Sequence, residues 1–111
     1  MNCYEIWVDL APGAKDLEFV AAVENYLGAL KNLGQIEHFR IKRRKFGFGP
    51  EALGEFWISI ETKDLAQLDA AFHAVSPREG EMERLHVEVF SRITNYKSGL
   101  WRDFPDPERA R

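Results

Sequence analysis

Imidazole titrates near neutral pH, so His38 and His86 are the side chains best suited to moving a proton here. Glu5 and Glu88 are the carboxylates that could tune them if the fold brings them close. Arg40, with Lys42 or His38, could anchor an anion. Trp7, Trp57 and Phe90 could supply apolar walls, and Ser59 a hydroxyl. Apolar walls with a few placed polar groups are what a small-molecule pocket requires. Each charged residue also has an ordinary structural reading, as a cross-strand pair on a half-wet sheet.

Other chemistries are poorly served. His38, His73 and His86 show no metal-ligand spacing, and Cys3 is the single cysteine, so no metal is expected. Phe46-Gly-Phe-Gly-Pro50 joins two strands and opens no helix, so it is not a phosphate-cradling loop. No cofactor is expected. Lone Cys3 reads as a small, partly buried apolar side chain, and such cysteine usage fits a cytoplasmic setting.

The elements that must position these residues follow from periodicity. Cys3 to Leu10 alternates, with Tyr4, Ile6, Val8 and Leu10 on one face and Cys3, Glu5, Trp7 and Asp9 on the other. Pro12-Gly13 ends this first strand. Asp16 to Leu33 carries an apolar stripe of Phe19, Val23, Tyr26, Leu30 and Leu33, with Gly34 as its C-terminal cap. Ile36 to Lys45 and Glu55 to Glu61 alternate as second and third strands, joined by a glycine-rich hairpin. Asp64 caps a second helix with Gln67 three residues on. Its stripe is Leu65, Leu68, Phe72 and Val75. Leu85 to Ile93 alternates Val87 and Val89 against His86, Glu88, Phe90 and Arg92, which predicts a fourth strand. Residues 94–111 read as a polar extension carrying Leu100, Trp101 and Phe104.

The order strand, helix, strand, strand, helix, strand is the ferredoxin-like βαββαβ plan. It implies an α+β fold with a four-stranded antiparallel sheet, order 4-1-3-2, and two helices on one face. The first strand then lies inside the sheet. The domain spans residues 1–93, with 94–111 a C-terminal extension packing on a partner subunit. The other sheet face is bare and gathers Glu5, Trp7, His38, Arg40, Lys42, Trp57, Ser59, His86, Glu88 and Phe90. Pairing Phe39 with Ile60 and Ile41 with Ile58 sets Arg40 against Ser59, Lys42 against Trp57, His38 against Glu61 and Arg44 against Glu55. A face that met only water would not usually hold two tryptophans.

A chain of 111 residues makes one domain that can bury a core without staples. No apolar run approaches the ~20 residues of a membrane span, and the amino terminus lacks a signal-peptide layout, so no membrane partner is expected. The formal net charge of -3 sets up no field for nucleic acid.

These features resemble the dimeric α+β barrel superfamily. The resemblance rests on a strand ending Leu10-Ala-Pro-Gly13, an amphipathic helix with Phe19 near its start, and the element order; it covers residues 3–93. Members include cofactor-free monooxygenases, haem-degrading enzymes, isomerases and stress-responsive barrels, and no catalytic set of theirs maps onto this chain. The resemblance implies that the bare face lines a cavity or interface between two subunits.

The leading reading is therefore a homodimer that binds a small, partly apolar, acidic ligand (fatty-acid-like, aromatic acid or polyketide-like), open to cofactor-free chemistry. A structural homodimer without ligand is the alternative. RNA binding is a third: Trp7 and Trp57 sit where an RRM stacks bases, and Lys45-Phe-Gly-Phe-Gly49 echoes its RNP1 motif. Glu5, Asp9, Glu55, Glu61 and Glu88 would repel phosphate, so no nucleic-acid partner is expected.

Overall fold

Alternation builds β1 over Asn2–Leu10, and the chain then forms α1 (Asp16–Asn32), β2 (His38–Arg43), β3 (Phe56–Thr62), α2 (Leu65–Val75), α3 (Gly80–Phe90) and β4 (Ile93–Arg102). The structure, a computed structural model, describes residues 1–105. The sheet order is β2-β3-β1-β4 and every neighbouring pair is antiparallel. This is the expected 4-1-3-2 order read from the opposite edge, and β1 is interior.

The register between β2 and β3 is also the expected one. Phe39 faces Ile60, Ile41 faces Ile58, Arg40 faces Ser59, Lys42 faces Trp57 and His38 faces Glu61. The Arg44 amide donates to the Glu55 carbonyl at 2.7 Å, extending the ladder by one rung.

The fourth strand is a correction. Leu85 to Phe90 belongs to α3, and the strand begins only at Ile93. Val87 and Val89 suggested a strand because β-branched side chains favour one. Helical spacing wins, because it buries Leu85 and Val89 and half-buries Met82 and His86 on one side. Helical ion pairs support it: Arg84 donates to Glu81 three residues back, and Arg92 to Glu88 four back. Three helices thus cover the sheet among the described residues, not two. The domain boundary expected at residue 93 falls at the start of β4, which pairs with β1 from Asn2↔Arg102 to Leu10↔Ile93. Of the C-terminal extension, residues 106–111 lie outside the described residues.

The helices sit as their sequences require. α1 buries Phe19, Ala22, Val23, Leu27 and Leu30, while Leu33, expected on the stripe, is an exposed C-cap. Gly34 takes φ +74°, which lets the Gln35 amide return to the Leu30 carbonyl at 2.9 Å. At α2, Asp64 accepts from the Gln67 amide at 2.9 Å, and the Gln67 side chain accepts from the Lys63 amide at 2.7 Å. Val8, Phe19, Val23 and Phe56 are almost fully enclosed, with the rings of Phe19 and Phe56 5.0 Å apart, edge to face. Burying such a side chain stabilises by about 1.5 to 3 kcal/mol each. No helix among the described residues is long and apolar enough to cross a membrane.

Candidate functional site

The sheet turns two chemically different faces outward from one layer. Away from the helices, the registers set three rows across the sheet. Arg40, Ser59, Glu5 and Gly99 form the middle row; Lys42, Trp57, Trp7 and Lys97 flank it on one side, and His38, Glu61, Cys3 and Trp101 on the other.

Glu5 is the centre of that face. It is only 6% exposed. Its two oxygens accept from the Trp57 indole at 2.5 Å and the Ser59 hydroxyl at 2.7 Å. The Trp7 and Trp57 rings lie 5.7 Å apart, and the Lys42 ammonium sits 3.8 Å above the Trp57 ring, a cation–π contact. Trp57 is 38% exposed and Trp101 62%, so these two indoles are open to solvent in the single chain. Gly99 makes room for Trp101: a Cβ there would lie 3.1 Å from Trp101 Nε1. At the rim, Asp9 accepts from the Glu55 amide at 2.8 Å and from Asn95 at 3.0 Å, and the Asn95 bond leads in holding its carboxyl below the usual range. Burial, with the nearby Glu5, raises the Cys3 thiol.

Seven of the ten expected site residues share this face: Glu5, Trp7, His38, Arg40, Lys42, Trp57 and Ser59. The other three do not, because their segment is helical. His86 and Phe90 point under the helices, and Glu88 forms a 2.7 Å ion pair with Arg92. No histidine of α3 can therefore act on a ligand held against Trp7 and Trp57.

The layer beneath the helices holds an apolar cavity of about 140 Å³ between the sheet and all three helices, open to solvent beside Phe72, Phe90 and Tyr96. No lysine, arginine, aspartate or glutamate is among its lining side chains. Six ring side chains bring edges and polar atoms to it: Tyr4, Tyr26, Phe72, His86, Phe90 and Tyr96. Tyr4 and Tyr96 hydroxyls are 2.7 Å apart, linking β1 to β4. His86 stacks on Phe90 at 4.2 Å and meets the Tyr26 ring edge-on at 5.6 Å. Phe90 continues to Tyr96 at 5.8 Å.

Burial tunes these groups toward neutrality. It pushes the Tyr26 phenol up to about 12, and it raises Tyr96, with the Tyr4 hydrogen bond adding to the effect. Burial also lowers the His86 imidazole, against the opposing pull of Glu83. Tyr26 and Tyr96 therefore offer neutral hydroxyls at physiological pH. Sequence reasoning missed Tyr26, Tyr96 and Trp101 as site residues. The only sequence signal for the cavity was the run of aromatics at buried spacing, which reads equally as core.

Among the described residues, no cluster of histidine, cysteine, aspartate and glutamate could hold a metal ion. No curated protein is significantly similar to this chain. Among solved structures, the chain is similar to a dimeric protein of unknown function and ferredoxin-like fold from Bacteroides fragilis. The TM-score is 0.57 at 10% identity, over 92% of this chain and 95% of that one. That likeness agrees with the ferredoxin-like sheet and helices described above. Over residues 1–111 the sequence matches a family of unknown function, DUF6614, and the chain belongs to that family.

Proposed function

We propose that this protein is a small-molecule-binding homodimer, with the ligand held between sheet and helices and the two copies joined through the tryptophan-bearing sheet face. The observation that carries the ligand site is the cavity: about 140 Å³, apolar, and lined in part by Tyr26 and Tyr96. An engineered apolar cavity of about 150 Å³ admits benzene, so this volume suits a single ring. The expected ligand is a mainly apolar molecule, such as a phenol, with one neutral polar group for the tyrosines. Exposed Phe72, Phe90 and Tyr96 could continue contact with a longer molecule. The dimer is supported by the open indoles of Trp57 and Trp101 and by the dimeric state of the Bacteroides fragilis protein of similar fold. A cytoplasmic setting, in keeping with the one free thiol, belongs to the same reading.

Titration with p-cresol, followed by NMR, tests the site. Binding with a Kd on the order of 1 mM or tighter is expected. Ala71→Leu fills the cavity from α2 and should abolish it. Binding that survives Ala71→Leu places the ligand elsewhere, and no binding by a dimer returns the protein to a structural dimer. An acidic ligand held at Arg40 is the second reading. One observation favours it: the guanidinium is exposed and bonds no other group among the described residues.

A further inference from the structure

We infer that the site around Glu5 is completed by a second copy of the chain, whose Arg40 pairs with the Glu5 carboxylate across the dimer interface. The inference rests on the homodimer proposed above and names the contact that directs it.

A buried charge is costly unless it is paired. Within one protomer Glu5 is 6% exposed and bonded only by neutral donors, the Trp57 indole and the Ser59 hydroxyl. A carboxylate has about four acceptor positions, so two such bonds leave capacity for a guanidinium. Arg40 is the complementary deficit: an exposed cation on the same row, bonded to nothing among the described residues.

Symmetry brings the two together. Let two sheets stack face to face with their two-fold axis along the strands. Each β2 then covers the partner's β4, β3 covers β1, and the rows stay in register. The partner subunit's Arg40 comes to lie over Gly99, the direct neighbour of Glu5 in the ladder. Stacked sheets lie ~10 Å apart, a gap an arginine side chain largely spans. Gly99 has no side chain to obstruct it, and the Trp101 indole beside Gly99 offers a ring for the guanidinium to stack on. Turning the axis across the strands would set Arg40 against Arg40 instead. The favoured stacking also brings Lys42 over Lys97, a like-charge cost softened but not cancelled by the Trp57 ring under one ammonium and Asn95 Oδ1 at 2.7 Å from the other.

Sedimentation equilibrium of the full chain tests this. Arg40→Met, at an exposed position, should leave the circular dichroism spectrum unchanged and raise the dimer Kd at least tenfold. In a Glu5→Gln background the same change should have little further effect. A second variant, Arg40→Glu, covers the case in which Glu5→Gln fails to fold, and should weaken the dimer further. A dimer whose Kd ignores both Arg40 variants overturns the pairing but leaves the homodimer standing. A wild-type chain that is monomeric throughout overturns both. Loss of benzoate binding in Arg40→Met with an unchanged dimer also overturns the pairing, in favour of the ligand anchor.

Discussion

The Trp57 indole N–H donates to the Glu5 carboxylate from the neighbouring strand at 2.5 Å, two residues along β3 from Ser59, the direct partner of Glu5. The diagonal contact binds β1 to β3 on the face that no helix covers. Hydrogen bonds to charged groups contribute about 1.5 to 3 kcal/mol each. Glu5→Ala strands both donors and should cost about 3 kcal/mol, measured by urea unfolding at one protein concentration. Trp57→Phe, which removes only one donor, should cost about half as much. Equal stability of Glu5→Ala and wild type would mean the carboxylate is not bonded this way.

Two glycines should respond in opposite directions to alanine. A Cβ at Gly54 would lie 2.3 Å from the Val8 carbonyl carbon, and backbone cannot step aside. Gly54→Ala is expected to lose more than about 3 kcal/mol or to fail to fold. Gly28, inside α1, meets nothing within 4 Å. Gly28→Ala should gain about 1 kcal/mol from helix propensity alone. Thermal melts of the pair would show a rise for one and a large fall for the other.

The loop between β2 and β3 hangs on one side chain. Arg44 donates to the carbonyls of Pro50 at 2.8 Å and Leu53 at 2.7 Å, while Phe46 and Phe48 point outward, 84% and 82% exposed. Arg44→Ala should cost about 1 to 3 kcal/mol, and trypsin should cut after Lys45 faster than in wild type. Unchanged cleavage would show the loop is braced by other means.

His86 makes stability depend on pH. Its folded-state proton affinity lies below the ordinary value because burial disfavours the cation; Glu83 opposes this shift and Arg78 adds to it. The unfolded chain therefore binds the proton more readily, so this contribution is complete above the unfolded pKa of about 6.5 and is lost as pH falls through the lower folded value. Melting temperature should drop between pH 7 and pH 5, and His86→Phe should flatten that part of the profile. A steeper fall in His86→Phe would reverse the sign assigned here.

Much of the sheet was legible because register leaves so few choices. Once Phe39 and Ile41 are set against Ile60 and Ile58, every charged neighbour on the opposite face follows. The last third of the chain was harder to read. Leu85, Val87 and Val89 alternate as well as any strand, and the helix shows itself through the spacing of Met82, Leu85, His86 and Val89 and pairs such as Glu88 and Arg92. The true β4 is masked by Asn95, Ser98 and Gly99, which carry little strand signal, yet Gly99 is small where Trp101 must lie. The cavity was hidden for a different reason. Its lining residues are core by composition, and only packing decides whether a core is full.

Tyr4 and Glu5 are consecutive in the chain, yet one edges the cavity and the other anchors the open face. In the proposed reading a single strand is a shared wall, with ligand contact on one surface and self-recognition on the other. Whatever shifts Tyr4 by a fraction of an ångström also moves the peptide that carries Glu5. On that reading, occupancy of the chamber and the strength of pairing between copies would have a common mechanical element, one residue thick.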